Sequence, residues 1–280
     1  TNRRLVDHAS DFNLPYTEHA RRNLLSEGMH PRRVMVTGSP MREVLDFYRD
    51  KIDASDILTQ LGMVKNEYFL VSAHRQENVD SPERLSRLLD SLKAINSTWN
   101  YPVLVSTHPR TRKQLEALPG FSEISGIKFH EPFGFFAYIK LQMNAKCVLS
   151  DSGTISEESI LLNFPAITIR DSMERPEALE SGSIIMCGLE LEQVLEAVRI
   201  LESSSKSLVP PIEYQFPERC SRRSRSIEVV SGRQNSSQRG CPEPHDEKHL
   251  ASNQKNITEF LESKSGRRMS GVILRCRVVS

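Results

Sequence analysis

The chain has 280 residues, 38% of them hydrophobic and 26% charged, enough for one large domain or two small ones. Its 37 Lys and Arg nearly cancel 36 Asp and Glu, and the first two hundred residues carry no basic stripe, which argues against nucleic acid as a partner. No apolar run reaches the roughly 18 residues of a membrane-spanning helix, so no membrane partner is expected either.

The chain opens on Thr1-Asn-Arg-Arg, without a methionine or an apolar signal region, and reads as a chain cut inside a domain. Residues 1–50 form a separate piece. Phe12-Asn-Leu-Pro-Tyr reads as a strand, and Thr17 can cap a helix that stops at Gly28. Arg33-Val-Met-Val reads as a second strand, after which Thr37-Gly-Ser-Pro turns into a helix running to Tyr48. Two strand–helix units make no stable sheet alone, so this piece reads as the end of a preceding domain.

Residues 51–205 alternate apolar runs with amphipathic stretches. The expected strands begin at Tyr68, Pro102, Ile127, Lys146, Ala166 and Ser183. They are short, apolar and β-branched with little alternation, as strands buried on both faces of a parallel sheet are. Between them, Ser81 and Pro82 suit the N-cap and first position of a helix. Leu85, Leu88, Leu89, Leu92 and Ile95 then recur at helical spacing on one stripe. Leu191, Val194, Leu195, Val198 and Leu201 repeat the pattern. Strand–helix alternation implies right-handed crossovers and a doubly wound α/β sheet with ligands at the carboxyl ends of its strands.

Residues 206–280 change character, being rich in Ser, Arg and Gln, and are expected to be an atypical, disordered tail. A basic binding tail is the alternative. Three of the five cysteines, Cys220, Cys241 and Cys276, fall there; Cys147 and Cys187 lie in the sheet region. No C-x-x-C pair occurs and the number is odd, which disfavours a zinc site or a disulfide framework and fits isolated thiols in a reducing cytoplasm. No metal, redox or other cofactor is implied.

Four polar clusters follow four expected strands. Asp151-Ser-Gly-Thr-Ile-Ser-Glu-Glu158 follows a buried strand and opens a helix. Ser152, Gly153 and Thr154 sit where free N–H groups and the helix dipole favour an anion, and Glu158 lies one turn in, placed for ribose hydroxyls. The same residues also read as a plain helix cap, and spacing leaves both readings open. Ala73-His-Arg-Gln-Glu-Asn78 offers His74 as a proton donor, Arg75 as a phosphate clamp and Glu77 as a further ligand contact; a structural His74 is the alternative. Ser106-Thr-His-Pro-Arg-Thr111 brings His108 and Arg110 to another strand end. Arg170-Asp-Ser-Met-Glu-Arg-Pro-Glu177 brings Arg175, suited to a diphosphate or to a surface ion pair. Together they describe a cleft with anion-binding character.

In order and spacing these motifs resemble the non-hydrolysing UDP-N-acetylglucosamine 2-epimerase family over roughly residues 2–201. The residues that carry the resemblance are Thr37-Gly-Ser, Ala73-His-Arg-Gln-Glu-Asn, Asp151-Ser-Gly-Thr-Ile-Ser-Glu-Glu and Glu174-Arg-Pro-Glu. The forms Thr37-Gly-Ser-Pro-Met, Ser106-Thr-His-Pro-Arg and Leu149-Ser-Asp-Ser-Gly-Thr look most like the UDP-N-acetyl-L-fucosamine synthase branch. The resemblance implies two Rossmann-like domains of the GT-B type, the first mostly absent here, and a homodimer at full length. It also implies loss of the C2 proton of a UDP-2-acetamido sugar, expulsion of UDP to give a glycal, and re-addition after reprotonation on the other face. The products would be surface-polysaccharide precursors.

By the same resemblance, Ser152, Gly153 and Thr154 hold phosphate, Glu158 the ribose and Arg175 the diphosphate. His74 assists UDP, and Tyr138 is a uridine neighbour. Where the broader family often has a second glycine, this chain has Thr154, whose backbone N–H is unaffected. The family's Gly-Thr-Arg-Pro-Glu and Gly-Asp-Thr motifs do not occur, and its acidic C2 acid–base residues are expected upstream of Thr1, so the chain alone is expected to be inactive. A two-domain glycosyltransferase using a UDP-sugar donor, a non-catalytic UDP-sugar-binding module and a degenerate gene product are the rival readings.

Overall fold

The computed structural model describes residues 2–117, 124–171 and 184–203, together with the backbone of 276–279. The chain divides into two compact units, one of Tyr48–Pro210 and one of Thr1–Phe47 with Pro211–Ser280.

In the smaller unit α1 (Asn2–Ala9) leads to β1 (Phe12–Pro15), α2 (Glu18–Ser26), a 3₁₀ turn (Pro31–Arg33) and α3 (Met41–Phe47). Thr17 caps α2, its hydroxyl accepting the N–H of Ala20 at 3.2 Å. The strand expected at Arg33-Val-Met-Val is not a ladder. Pro31 starts the 3₁₀ turn, and the Arg33 side chain turns back to the carbonyls of Ser10 and Asp11, so the backbone reaches β1 only as a single parallel bridge from Val34 to Asn13. The N–H groups of Met35 and Thr37 still donate to the carbonyls of Asn13 and Pro15, both at 3.0 Å. On the tail side, β8 (Cys276–Val279) pairs in parallel with β1, Phe12 opposite Cys276. The remainder of the tail lies outside the described residues.

The larger unit holds one all-parallel sheet. Its strands are β2 (Phe69–Ser72), β3 (Val103–Ser106), β4 (Ile127–His130), β5 (Cys147–Ser150), β6 (Ala166–Thr168) and β7 (Ile184–Met186). They lie side by side in the order β4-β3-β2-β5-β6-β7. The first strand of the unit, β2, is thus central, and the winding reverses between β2 and β5. This is the doubly wound order with its switch point at that pair.

Both faces of the sheet are buried because successive strand side chains point to opposite sides. Phe69, Val71, Val103, Val105, Cys147 and Leu149 face one layer, where they meet α7 (Pro82–Trp99) and α11 (Leu191–Ser203). Tyr68, Leu70, Leu104 and Val148 face the other, against α5 (Ile57–Leu61), α9 (Phe135–Asn144) and α10 (Ile155–Leu162). The short helix α4 (Arg49–Asp53) precedes α5; between α5 and α7 the single turn α6 (Gln76–Val79) follows β2, and α8 (Pro109–Glu116) follows β3. The stripe of Leu85, Leu88, Leu89, Leu92 and Ile95 is the buried face of α7, whose ends are set by the Ser81 hydroxyl on the N–H of Arg84 and by Asn100 in the left-handed region, φ 54°. Trp99 closes α7 beneath the sheet, edge-on to Phe69 with ring centres 5.5 Å apart, and its indole N–H donates to Glu202 at 2.9 Å. Among the described residues no helix is long and apolar enough to cross a membrane, and no group of three His, Cys, Asp or Glu could hold a metal ion.

Candidate functional site

Parallel strands deliver all their carboxyl ends to one edge of the sheet, and at the switch point the loops after β2 and β5 diverge to leave a crevice. At that point lies Asp151, the residue after β5, fully buried. Its carboxylate gathers the loop after β2. The His74 N–H donates to Oδ2 at 3.0 Å, the Arg75 N–H to Oδ2 at 2.9 Å and the Asn78 side-chain amide to Oδ2 at 3.1 Å. The His74 ring adds Nδ1, 3.1 Å from Oδ1. Burial pushes this carboxyl up, but the hydrogen bond and charge of His74, the Arg75 N–H and the Asn78 amide together hold it below the ordinary aspartate value.

The network runs on through Asn78, itself fully buried. Its Oδ1 accepts Nε and Nη2 of Arg84, at 3.2 and 2.9 Å, and Arg84 Nη1 pairs with Asp171 Oδ2 at 2.9 Å. Arg84 is in the first turn of α7, where the helix dipole disfavours a cation, so these partners hold it there. One continuous polar chain therefore joins the strand ends of β5, β2 and β6.

Beside it, Ser152, Gly153 and Thr154 make the turn into α10. The Ser152 N–H donates to the Ser150 hydroxyl at 3.1 Å, and the Ser152 and Thr154 hydroxyls are 3.0 Å apart. The Thr154 N–H turns to the Ser152 hydroxyl at 3.4 Å, and the amino end of α10, whose leading N–H groups have no intrahelical acceptor, follows directly on the carboxyl end of β5. A Cβ on Gly153 would come 3.9 Å from Nη2 of Arg75, with nothing else within 4 Å. The glycine thus leaves open the space beside that guanidinium. Farther along α10, buried Glu158 accepts the Gln142 amide at 2.7 Å. Tyr138 lies one helical turn before Gln142 on α9. Burial first, then the charges of Glu158 and Asp151, push its phenol up, while hydrogen bonds with Ser72 and Gln142 pull it down. Its hydroxyl is therefore a neutral member of the same cluster.

The structure thus brings together His74, Arg75, Tyr138, Ser152, Gly153, Thr154 and Glu158. Glu77 is exposed on α6, and among the described contacts none ties it to this cluster. His108 is exposed at the end of the loop after β3; the Arg110 side chain and all of Arg175 lie outside the described residues. The sequence reading gave no role to Asp151, Asn78, Arg84, Asp171 or Gln142. Two of these carried a signal: a cation in the first turn of α7, and a Gln four residues after Tyr138 on the same face of α9.

A family model described as UDP-N-acetylglucosamine 2-epimerase matches residues 1–216. A protein of that name from Methanocaldococcus jannaschii is 33% identical over 216 residues, covering 75% of this chain and 59% of the relative. The solved structure of UDP-N-acetylglucosamine 2-epimerase from Rickettsia bellii matches at 44% identity and TM-score 0.73, over 82% of this chain and 62% of that one. The M. jannaschii structure in complex with UDP-GlcNAc and UDP matches at 31% identity and TM-score 0.73, over 80% and 62% respectively. The chain spans about three-fifths of the length of these relatives.

Proposed function

Because this chain belongs to the UDP-N-acetylglucosamine 2-epimerase family, we propose that it forms the nucleotide-binding part of an enzyme inverting C2 of a UDP-2-acetamido sugar. The fold is the α/β, Rossmann-like, GT-B type of its structural neighbours, of which it covers a part.

In this reading the C2 proton is removed, the C1–O bond breaks, UDP leaves with the bonding electrons, and a glycal remains. UDP then adds back to C1 as a proton arrives at C2 on the opposite face. The protein must hold UDP as a leaving group and keep it beside the glycal. The Ser152–Thr154 turn and Arg75 take the phosphates, Arg175 and Arg110 add cationic contacts, and Glu158 takes the ribose. Tyr138 lies beside the nucleoside, His108 and Glu77 complete the rim, and His74 exchanges a proton or hydrogen bond with the departing phosphate. The observation that supports this assignment is the meeting of His74, the Arg75 guanidinium and the Gly153 turn at the switch point, with Glu158 buried one turn along the same helix.

The finer reading is the UDP-N-acetyl-L-fucosamine branch, in which the substrate is a UDP-2-acetamido-2,6-dideoxy-L-talose and the product feeds surface polysaccharide. It rests on the forms at Thr37-Gly-Ser-Pro-Met, Ser106-Thr-His-Pro-Arg and Leu149-Ser-Asp-Ser-Gly-Thr. At full length the enzyme is a homodimer in this reading. The 280-residue chain, covering about three-fifths of its relatives, binds UDP without turnover. Calorimetric titration of UDP into this chain and into Glu158→Ala tests the site. Saturable binding lost in the variant is expected; equal binding by both removes Glu158 from the site. Release of the 2-epimer from either UDP-sugar by the purified chain would refute the claim of inactivity, and the sugar accepted would decide the branch.

A further inference from the structure

The geometry points to Asp151 as the positioning residue of His74, holding the ring through Nδ1 so that Nε2 is the one nitrogen left to meet a ligand. A buried carboxylate is an acceptor only. Asp151 is fully buried, and its Oδ1 lies 3.1 Å from His74 Nδ1. That contact requires a proton on Nδ1 in either charge state of the ring. Neutral His74 then offers the Nε2 lone pair as an acceptor, and protonated His74 offers Nε2–H as a donor. The backbone reinforces the pose, since the N–H groups of His74 and of Arg75 bind the same carboxylate. Asn78 adds a third anchor, and Arg84 fixes Asn78 from behind, so the carboxylate cannot swing away from the ring without breaking several bonds at once. The role is distinct from helix capping. An Asp151 that served only the backbone would leave the ring free to exchange tautomers, and 43% of the His74 side chain is exposed to do so. The inference rests on the proposed function only for what Nε2 meets; the ring's tautomer is a property of this chain alone.

The test is a long-range ¹H–¹⁵N correlation spectrum of the full 280-residue chain carrying ¹⁵N-labelled histidine, at about pH 8.5, well above the ordinary histidine pKa. His74 is assigned by the signals lost in His74→Ala. The Nδ1–H tautomer is expected to exceed the Nε2–H tautomer by at least about tenfold, as a hydrogen bond to a charged group gives. An Nε2–H ring, or the mixture shown by the same chain in urea, overturns the proposal, and this spectrum decides it whether or not Asp151→Asn folds. In Asp151→Asn, whose amide can donate to Nδ1, the folded chain should shift to Nε2–H; retention of the Nδ1–H form would equally overturn it. UDP titration reads the anion site separately, so loss of UDP binding with the tautomer intact would refute the functional reading and leave Asp151 in its role.

Discussion

Asp151→Ala removes the acceptor on which the loop after β2 is hung. Two backbone N–H groups and the buried Asn78 amide lose their partner together. An unsatisfied buried donor costs about 1–3 kcal/mol. Water can reach the half-exposed His74 side of the gap, which favours the low end there, while Asn78 is fully buried and Arg84 stays bound to it. The expected loss is roughly 3–5 kcal/mol, the range found when one partner of a buried charged pair is deleted. For a unit of this size that corresponds to a fall in Tm of roughly 6–20 °C. Urea unfolding followed by far-ultraviolet circular dichroism measures it, with two controls. His74→Ala removes one partly exposed ring and keeps every backbone donor, so it should cost less than about 1 kcal/mol. Asp151→Asn keeps one acceptor oxygen and should fall between. A loss below about 1 kcal/mol in Asp151→Ala would mean that solvent replaces the carboxylate at no penalty, and the account of a buried hub would be wrong.

The same carboxylate gives a pH dependence. Its folded pKa is lowered, so its contribution is complete above the unfolded value of about 4 and is lost as pH falls through the folded value. The stability gap between the unaltered chain and Asp151→Ala should be flat from about pH 7 to 5 and close below about pH 4; a gap that widens in acid would reverse the sign. Leu92→Ala, at a position 1% exposed between α7 and the sheet, should cost about 2–5 kcal/mol in the same urea assay, and a loss below about 1 kcal/mol would place α7 off the core. Burial pushes the Cys187 thiol up to about 12 and the Cys147 thiol up as well. Neither should react with a disulfide reagent until the chain is unfolded, and peptide mapping that finds either one modified in the native chain would contradict their burial.

The sheet was legible in the sequence because buried parallel strands are nearly pure apolar runs, and the α7 stripe because its helical period is unbroken from Leu85 to Ile95. The convergence of polar clusters followed from topology, since every parallel strand ends at the same edge. Local pattern failed where a side chain decided the backbone. Val34 has strand composition, yet Pro31 and the long reach of Arg33 bend the chain ahead of it. It failed again where partners are distant in the chain. Asp151 meets residues 73 to 77 positions earlier, and no spacing rule announces that a motif's first residue serves another strand's loop. Gln142 and Glu158 met for the same reason, through packing of α9 against α10 rather than any shared motif.

Trp99, the sole tryptophan, stands at the amino-terminal side of the sheet, touching Phe69 at the start of β2. The crevice opens past Ser72, three residues and about 10 Å farther along that strand. Intrinsic fluorescence excited at this indole should therefore follow the melting of α7 and α11 while staying blind to a nucleotide arriving at the far edge. One optical signal then separates a variant that has lost its ligand from one that has lost its fold.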